Sequence, residues 1–212
     1  IQEHLGKCEG PVEVLDVGSY NVNGSYKELF DERFVYQGLD MVAGPNVDIV
    51  PERPYSWREI ESDSFDVVIS GQAFEHIEFF WVIVAEMARV LRKGGILCII
   101  VPRLQKLHRF PVDCYRFDTD GMVALARYCN LTLLHASTDL APQDRFSPDW
   151  FRERVGDSML VARKPEDWSG MLNLDDYVYQ QEDIEALATG FIPEVDPKKK
   201  KSLRTRIINK LI

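Results

Sequence analysis

Val12-Glu13-Val14-Leu15-Asp16-Val17-Gly18-Ser19 decides how this chain is read. An apolar, β-branched run ending in an acid and a glycine reads as a buried strand entering a tight turn. Working outward, the pattern predicts a helix from Ser25 to Phe30 and a second strand from Phe34 to Leu39, stopping at Asp40. Val47-Asp48-Ile49-Val50 reads as a short third strand and Phe65 to Ser70 as a fourth. Phe79 to Arg92 has helical length and closes at Gly94-Gly95, where glycine suits a left-handed cap. Ile96 to Val101, an unbroken apolar run ended by Pro102, predicts a strand buried on both faces. A further helix fits Asp120 to Cys129, capped by Asp118 or Thr119 and terminated by Asn130. Leu131 to His135 and Ser158 to Arg163 supply two last strands. Strands alternating with helices predict an α/β fold with right-handed crossovers.

Composition bounds the rest. The 212 residues are 45% hydrophobic, enough for a packed core and too many for a disordered chain. No apolar run approaches the ~18–20 residues of a membrane-spanning helix. With 34 acidic against 25 basic residues, a net charge of −9, a general nucleic-acid binder is not expected. The charge is uneven: seven Lys or Arg and no acid follow Pro197, so the remainder is more acidic still, at −16. In that basic tail Leu203, Ile207 and Leu211, with Arg204 and Lys210, fit either a short amphipathic helix for a surface or partner, or a solvated terminus. Cys8, Cys98, Cys114 and Cys129 form no CxxC pair, which argues against a disulfide scaffold or structural zinc and for a reducing, cytoplasmic compartment. The chain opens on Ile1 without Met or a signal peptide, which we read as a trimmed terminus or a piece of a larger multidomain protein.

The turn after Asp16 is a candidate ligand loop. A strand that ends in glycine and opens a helix brings backbone N–H groups against a ligand. Asp40 ends the next strand 24 residues on, where a carboxylate can accept both hydroxyls of a ribose. The GxGxxG pattern is absent, since positions 18, 20 and 23 are Gly, Tyr and Asn. A pyrophosphate needs close approach at several glycines. A cofactor with a ribose and no phosphate fits better.

Those residues carry a resemblance. Glu13 to Ser19, with Asn23-Gly24-Ser25-Tyr26 following, resembles the first motif of class I S-adenosylmethionine-dependent methyltransferases, nearest the type 11 group. Gly38-Leu39-Asp40-Met41 is similar to the second motif, and Val47 to Val50 to the third strand. Ser64 to Ser70 with Phe74-Glu75-His76-Ile77 resembles the fourth motif, and Glu86 to Gly95 the helix before the fifth strand. The resemblance spans residues 11 to 164. It implies a Rossmann-like, mostly parallel sheet of seven strands flanked by helices, the last two strands antiparallel. The domain would occupy 1–164, with 165–212 a C-terminal extension. For the cofactor, S-adenosylmethionine, it implies Gly18 and Ser19 at the amino-acid end with Asp16 supporting that loop, and Gly24 among the cofactor-binding residues. Asp40 would hold the ribose and Met41 would pack on adenine. Glu52 stands where the family places an acid near the adenine amino group, and Ser70, Gly71 and Gln72 would line the methionine portion.

A methyl group on a sulfonium is already activated, so the protein's task is to align a nucleophile, exclude water and remove a proton. His108 to Phe117, HRFPVDCYRF, follows the fifth strand and resembles an H-x-x-P-x-D-x-x-R-F stretch found in a subset of type 11-like proteins. It offers His108 as a base, Asp113 to orient it, and Tyr115 and Arg116 for a polar substrate; the competing reading is a structural lid in which Asp113 pairs with Arg116. His76 is the second candidate base, with a structural role as its alternative. Glu75, His76, His108 and Asp113 could together supply metal donors, but no dense acidic cluster is present and no metal is expected. The loop Pro142 to Asp157, with Phe146, Trp150 and Phe151, either completes an acceptor pocket or simply packs. We therefore expect methyl transfer to a hydroxyl oxygen, first of a sugar or glycan. The alternatives are another small metabolite, lipid or protein acceptor, or a non-catalytic cofactor-binding module.

Overall fold

The computed structural model describes residues 10–22, 24–139, 156–175 and 177. Six strands form one mixed sheet: β1 (Val12–Val17), β2 (Phe34–Leu39), β3 (Phe65–Gly71), β4 (Leu91–Leu104), β5 (Thr132–Thr138) and β6 (Gly156–Arg163). Their order is β2-β1-β3-β4-β6-β5. β1 to β4 run parallel, and β6 lies antiparallel to both β4 and β5. Among the parallel strands β1 to β4, chain order runs outward from β1 in both directions. The carboxyl ends of β1 and β3 therefore flank the switch point where open α/β sheets bind ligands.

The helices are α1 (Phe80–Val90) and α2 (Thr119–Tyr128), the latter capped by Asp118, whose side chain accepts from Thr119 N. Asn130, in the left-handed region at φ 51, stops the chain turning further. One core face packs α1 and α2 on Leu15, Val68, Leu97, Ile99 and Leu160. The other face holds Val14, Val67, Ile69, Ile96 and Ile100 against Tyr26, Phe30 and Tyr36.

Three expectations change. The predicted third strand is a single bridge between Ile49 and Leu39, so the described sheet has six strands rather than seven. The Asp48 carboxylate takes the Gly38 N–H at 2.8 Å, a donor a paired strand would claim, and Pro51 ends the run. The predicted helix from Ser25 is one 3-10 turn, Tyr26–Leu29, too short a segment to propagate an α-helix before β2 begins. Gly94-Gly95 is not a helix cap: α1 ends at Val90, and the pair forms an irregularity inside β4, where the β3 register shifts between Phe65 and Val67. Gly94 sits there at φ +77.

Beyond Lys164, the expected domain boundary, the chain first returns to the core. Trp168 and Met171 pack against it, and Trp168 Nε1 donates to Cys129 O at 2.8 Å. Lys164 is fully buried, with Nζ bonded to Asp63 and the carbonyl of Leu91 and lying 3.9 Å from the Trp168 ring centre. Cys98 and Cys129 are free and buried, their thiols each pushed up to about 12 by burial. The N-terminal nine residues with Cys8, most of the 142–157 loop and the basic tail lie outside the described residues. No described helix is long and apolar enough to cross a membrane.

Candidate active site

A cleft of about 970 Å³ opens over the carboxyl ends of β1, β2 and β3. That volume is at the upper end of the ~300–1,000 Å³ typical of ligand sites, enough for a cofactor and a second small molecule together. From the β2 side it is lined by Asp40, Met41 and Val42, then by Asp16, Gly18 and Gly24, then by Gly71 and Gln72. At the β4 side it meets Glu75, His76, His108 and Arg109.

At the first end the strand termini are locked to one another. Gly18 N and Ser19 N both donate to Leu39 O, at 2.9 and 3.1 Å, so these amides are spent on the sheet. Gly18 adopts φ +78 with Ala73 against it, and an added Cβ would lie 2.4 Å from Ala73 Cβ. Asp40 accepts from Tyr20 N at 3.1 Å and Val42 N at 3.4 Å, which fixes its carboxylate while leaving acceptor capacity toward the cleft. Asp16 is buried; Tyr36 donates its phenolic proton to Asp16 Oδ2, and Asn46 Nδ2 bridges Tyr36 Oη and Ser19 O. Burial raises the Asp16 carboxyl from 3.8 to about 7, with Asp40 adding to the rise and Tyr36 opposing it. Asp16 Oδ1 is buried without a hydrogen-bond partner. A cationic N–H donor in the cleft would satisfy it.

At the β4 end a strap, residues 105–117, folds back over the segment after β3. Cys114 N donates to Glu75 O at 2.7 Å, Tyr115 Oη to Glu78 O at 2.8 Å, and His76 Nδ1 meets Val112 O at 2.6 Å. These bonds bring His108 over His76, with ring centres 4.9 Å apart and the planes nearly perpendicular. Asp113 accepts the His108 backbone N–H at 2.7 Å and is paired with Arg116. That guanidinium holds the Asp113 carboxyl far below the usual carboxylate range, against a smaller opposing effect of burial. Glu75 is fully buried, and neither of its carboxylate oxygens has a hydrogen-bond partner. Burial raises its carboxyl, while His76, His108 and Arg116 pull the other way.

Of the residues singled out in the sequence, Asp16, Gly18, Ser19, Gly24, Asp40, Met41, Gly71, Gln72, His76 and His108 line one cleft. Others do not line it. Ser70 is buried and donates to Val17 O at 2.8 Å. Glu52 is exposed, and Pro51, Pro54 and Trp57 line that side instead. Asp113, Tyr115 and Arg116 belong to the strap itself and hold its shape rather than lining the cleft. The residues missed are Tyr36 and Asn46, which fix Asp16, and Asp157, which accepts from Gln72 Nε2 at 3.1 Å. None carries a local signal, because each acts through a partner distant in sequence.

A model of the methyltransferase domain family matches residues 23–99. A search of curated protein sequences finds no significant match. Among solved structures, the chain is similar to 1,6-didemethyltoxoflavin-N1-methyltransferase of Burkholderia thailandensis, a complex with S-adenosylhomocysteine. Identity is 17%, covering 78% of this chain and 75% of that one, with a TM-score of 0.58. It is also similar to phosphoethanolamine N-methyltransferase 2 of Haemonchus contortus, at 15% identity, 78% and 51% coverage and a TM-score of 0.54. A third is the [4+2]-cyclase SpnF, at 17%, 74% and 76% coverage and 0.55. At such identities the likeness is one of fold, and the cyclase among the neighbours illustrates that the fold alone does not fix the reaction. The family match over residues 23–99 and the fold make the chain similar to methyltransferase domains of Rossmann-like architecture.

Proposed function

We propose that this chain transfers a methyl group from S-adenosylmethionine to a hydroxyl oxygen of a small polar acceptor, with a sugar or glycan hydroxyl as the first candidate. When bound, that cofactor supplies a methyl group already activated on sulfur. The protein's own residues do the rest. Asp40, fixed by two backbone amides, would accept the ribose hydroxyls. Asp16, with one buried oxygen lacking a partner, would accept from the cofactor's ammonium. Met41 and Val42, apolar and exposed on the cleft wall, would cover the adenine.

The observation that carries the acceptor side is the convergence of His76 and His108 on Glu75 at the far end of the same cleft. A hydroxyl must lose its proton as it becomes a methyl ether, and an imidazole is suited to receive it. His108, the more exposed of the two imidazoles, is the first candidate and His76 the second. The acidic body disfavours anionic polymers, and the HRFPVDCYRF stretch resembles proteins linked to glycan assembly. A second reading, an acceptor with an apolar portion, is favoured by Phe110, which is 58% exposed where it lines the cleft.

Calorimetry with S-adenosylmethionine tests the cofactor: binding is expected in the wild type and strong loss in Asp40→Ala. A methyl-donor assay against sugars and glycan fragments, read by mass, tests the acceptor. Methylation confined to amines would overturn the hydroxyl assignment.

A further inference from the structure

We infer that Glu75, His76 and His108 form a binding site for a divalent first-row transition-metal ion at the acceptor end of the cleft. Each offers one ligand atom, and the three atoms lie within 4.8 Å of one another. Glu75 Oε1 is 3.7 Å from His76 Nε2 and 3.8 Å from His108 Nε2. Neither separation is a hydrogen bond. Around an ion with bonds of ~2.1 Å, tetrahedral ligands stand about 3.4 Å apart, so each Glu75–imidazole separation need contract by only a few tenths of an ångström, and the two imidazoles approach each other by at most about 1.4 Å.

The hydrogen bonds at the other ring nitrogens point the same way. His76 Nδ1 lies 2.6 Å from Val112 O and His108 Nδ1 lies 3.0 Å from Lys106 O. A carbonyl only accepts, so both Nδ1 atoms carry a proton, and in the neutral imidazoles both Nε2 atoms then turn a lone pair toward the carboxylate. Two lone pairs facing a buried carboxylate that has no hydrogen-bond partner repel unless a cation or a proton lies between them. Nδ1–H bound to a backbone carbonyl is also the arrangement that orients metal-ligating histidines. Asp113, the fourth donor considered from the sequence, is committed to Arg116 and the His108 backbone and supports the set from behind.

The donor set selects the ion. Two imidazoles and one carboxylate suit zinc, iron, cobalt or nickel, whereas magnesium and calcium prefer oxygen ligands throughout. The sequence expectation of no metal rested on the lack of a dense acidic cluster, which this ligand type does not need. All three residues line the cleft, so the remaining coordination positions face it. On the methyl-transfer reading, which this inference deepens, an ion held by His76 and His108 would take the place of the free imidazole base: it would position an acceptor hydroxyl and ease the loss of its proton to solvent. Binding of the ion itself does not depend on that reading.

The test uses the full chain stripped of metal, titrated with Co²⁺ by visible absorption and with Zn²⁺ by calorimetry. One ion per chain is expected, with the cobalt spectrum showing nitrogen ligation and zinc displacing cobalt. Glu75→Gln, His76→Ala and His108→Ala should each weaken affinity by about tenfold or more, with melting curves confirming that the variants fold. Asp40→Ala should keep the metal while losing S-adenosylmethionine, so the cofactor reading and the metal reading fail separately. No binding by the wild type, or affinity unchanged in the folded Glu75→Gln and His108→Ala chains, overturns the site and leaves a shared proton between the three groups.

Discussion

Under the ends of β1 and β2 most polar groups are already committed, two amides to Leu39 O, the Asp40 carboxylate to Tyr20 and Val42, and one Asp16 oxygen to Tyr36, with Asp16 Oδ1 left without a partner. Beneath the strap, by contrast, a fully buried Glu75 faces two imidazoles and bonds to neither. The first end is a receptor whose polar groups are held in place by the protein's own hydrogen bonds. The second holds a buried carboxyl whose oxygens lack hydrogen-bond partners, which is unfavourable for stability and useful for chemistry. If the contrast is right, variants at the two ends should separate binding from turnover.

The largest effect belongs to the strap. His108→Ala should lower turnover by about 10²–10⁴-fold, as loss of a general base, or of an ion held in its place, does, while the Kd for S-adenosylmethionine stays within a few-fold. Single-turnover rates alongside calorimetry check this. A near-normal rate moves the role to His76; a lost Kd would merge the two ends into one site.

Next is Asp16, where the committed end carries a cost of its own. Its carboxyl is raised in the folded chain to about 7 from 3.8, chiefly by burial. The native state therefore holds a proton that the unfolded chain releases. The associated stability is fully present below about pH 4 and lost as the pH rises through about 7. A rise of that size corresponds to roughly 4 kcal/mol. Urea midpoints at pH 5 and pH 8 should differ more for the wild type than for Asp16→Asn. Equal differences would show that Asp16 is ionised at neutral pH, paired more strongly than Tyr36 alone allows.

Asp40→Ala should weaken S-adenosylmethionine about a hundredfold, since hydrogen bonds to a charged group contribute ~1.5–3 kcal/mol, with turnover at saturation largely kept. A loss of turnover at saturating cofactor would mean that Asp40 also places the methyl group.

How legible each end was follows from how it is built. Asp16, Gly18 and Asp40 sit at the ends of two strands whose apolar runs announce them, so strand, turn and carboxylate could be read together. The Glu75 side of the second end was visible in Phe74-Glu75-His76-Ile77, but its convergence with His108 depends on the strap's docking through Cys114, Tyr115 and Val112, contacts 36 to 39 residues apart that no local pattern encodes. The failed third strand has the same origin. Val47 to Val50 has strand composition, and only the Asp48 side chain, by capturing Gly38 N–H, shows why it does not extend the ladder. Gly94-Gly95 misled because glycine serves helix caps and strand irregularities alike.

The smallest effect decides what Tyr115 does. Its residue type suits contact with a polar substrate, yet its hydroxyl donates to Glu78 O and its ring packs against Phe80, 4.8 Å between centres. In that geometry Tyr115→Phe removes one bond at the edge of the strap and keeps the aromatic packing. The cost should be about 0.5–1.5 kcal/mol of stability and less than about tenfold in turnover, with the acceptor KM unchanged. Tyr115→Ala, which also empties the place of the ring, should loosen the strap and bring turnover toward that of His108→Ala. If Tyr115→Phe instead raises the acceptor KM by itself, the hydroxyl exchanges Glu78 O for substrate, and the strap is part of the binding surface rather than its frame.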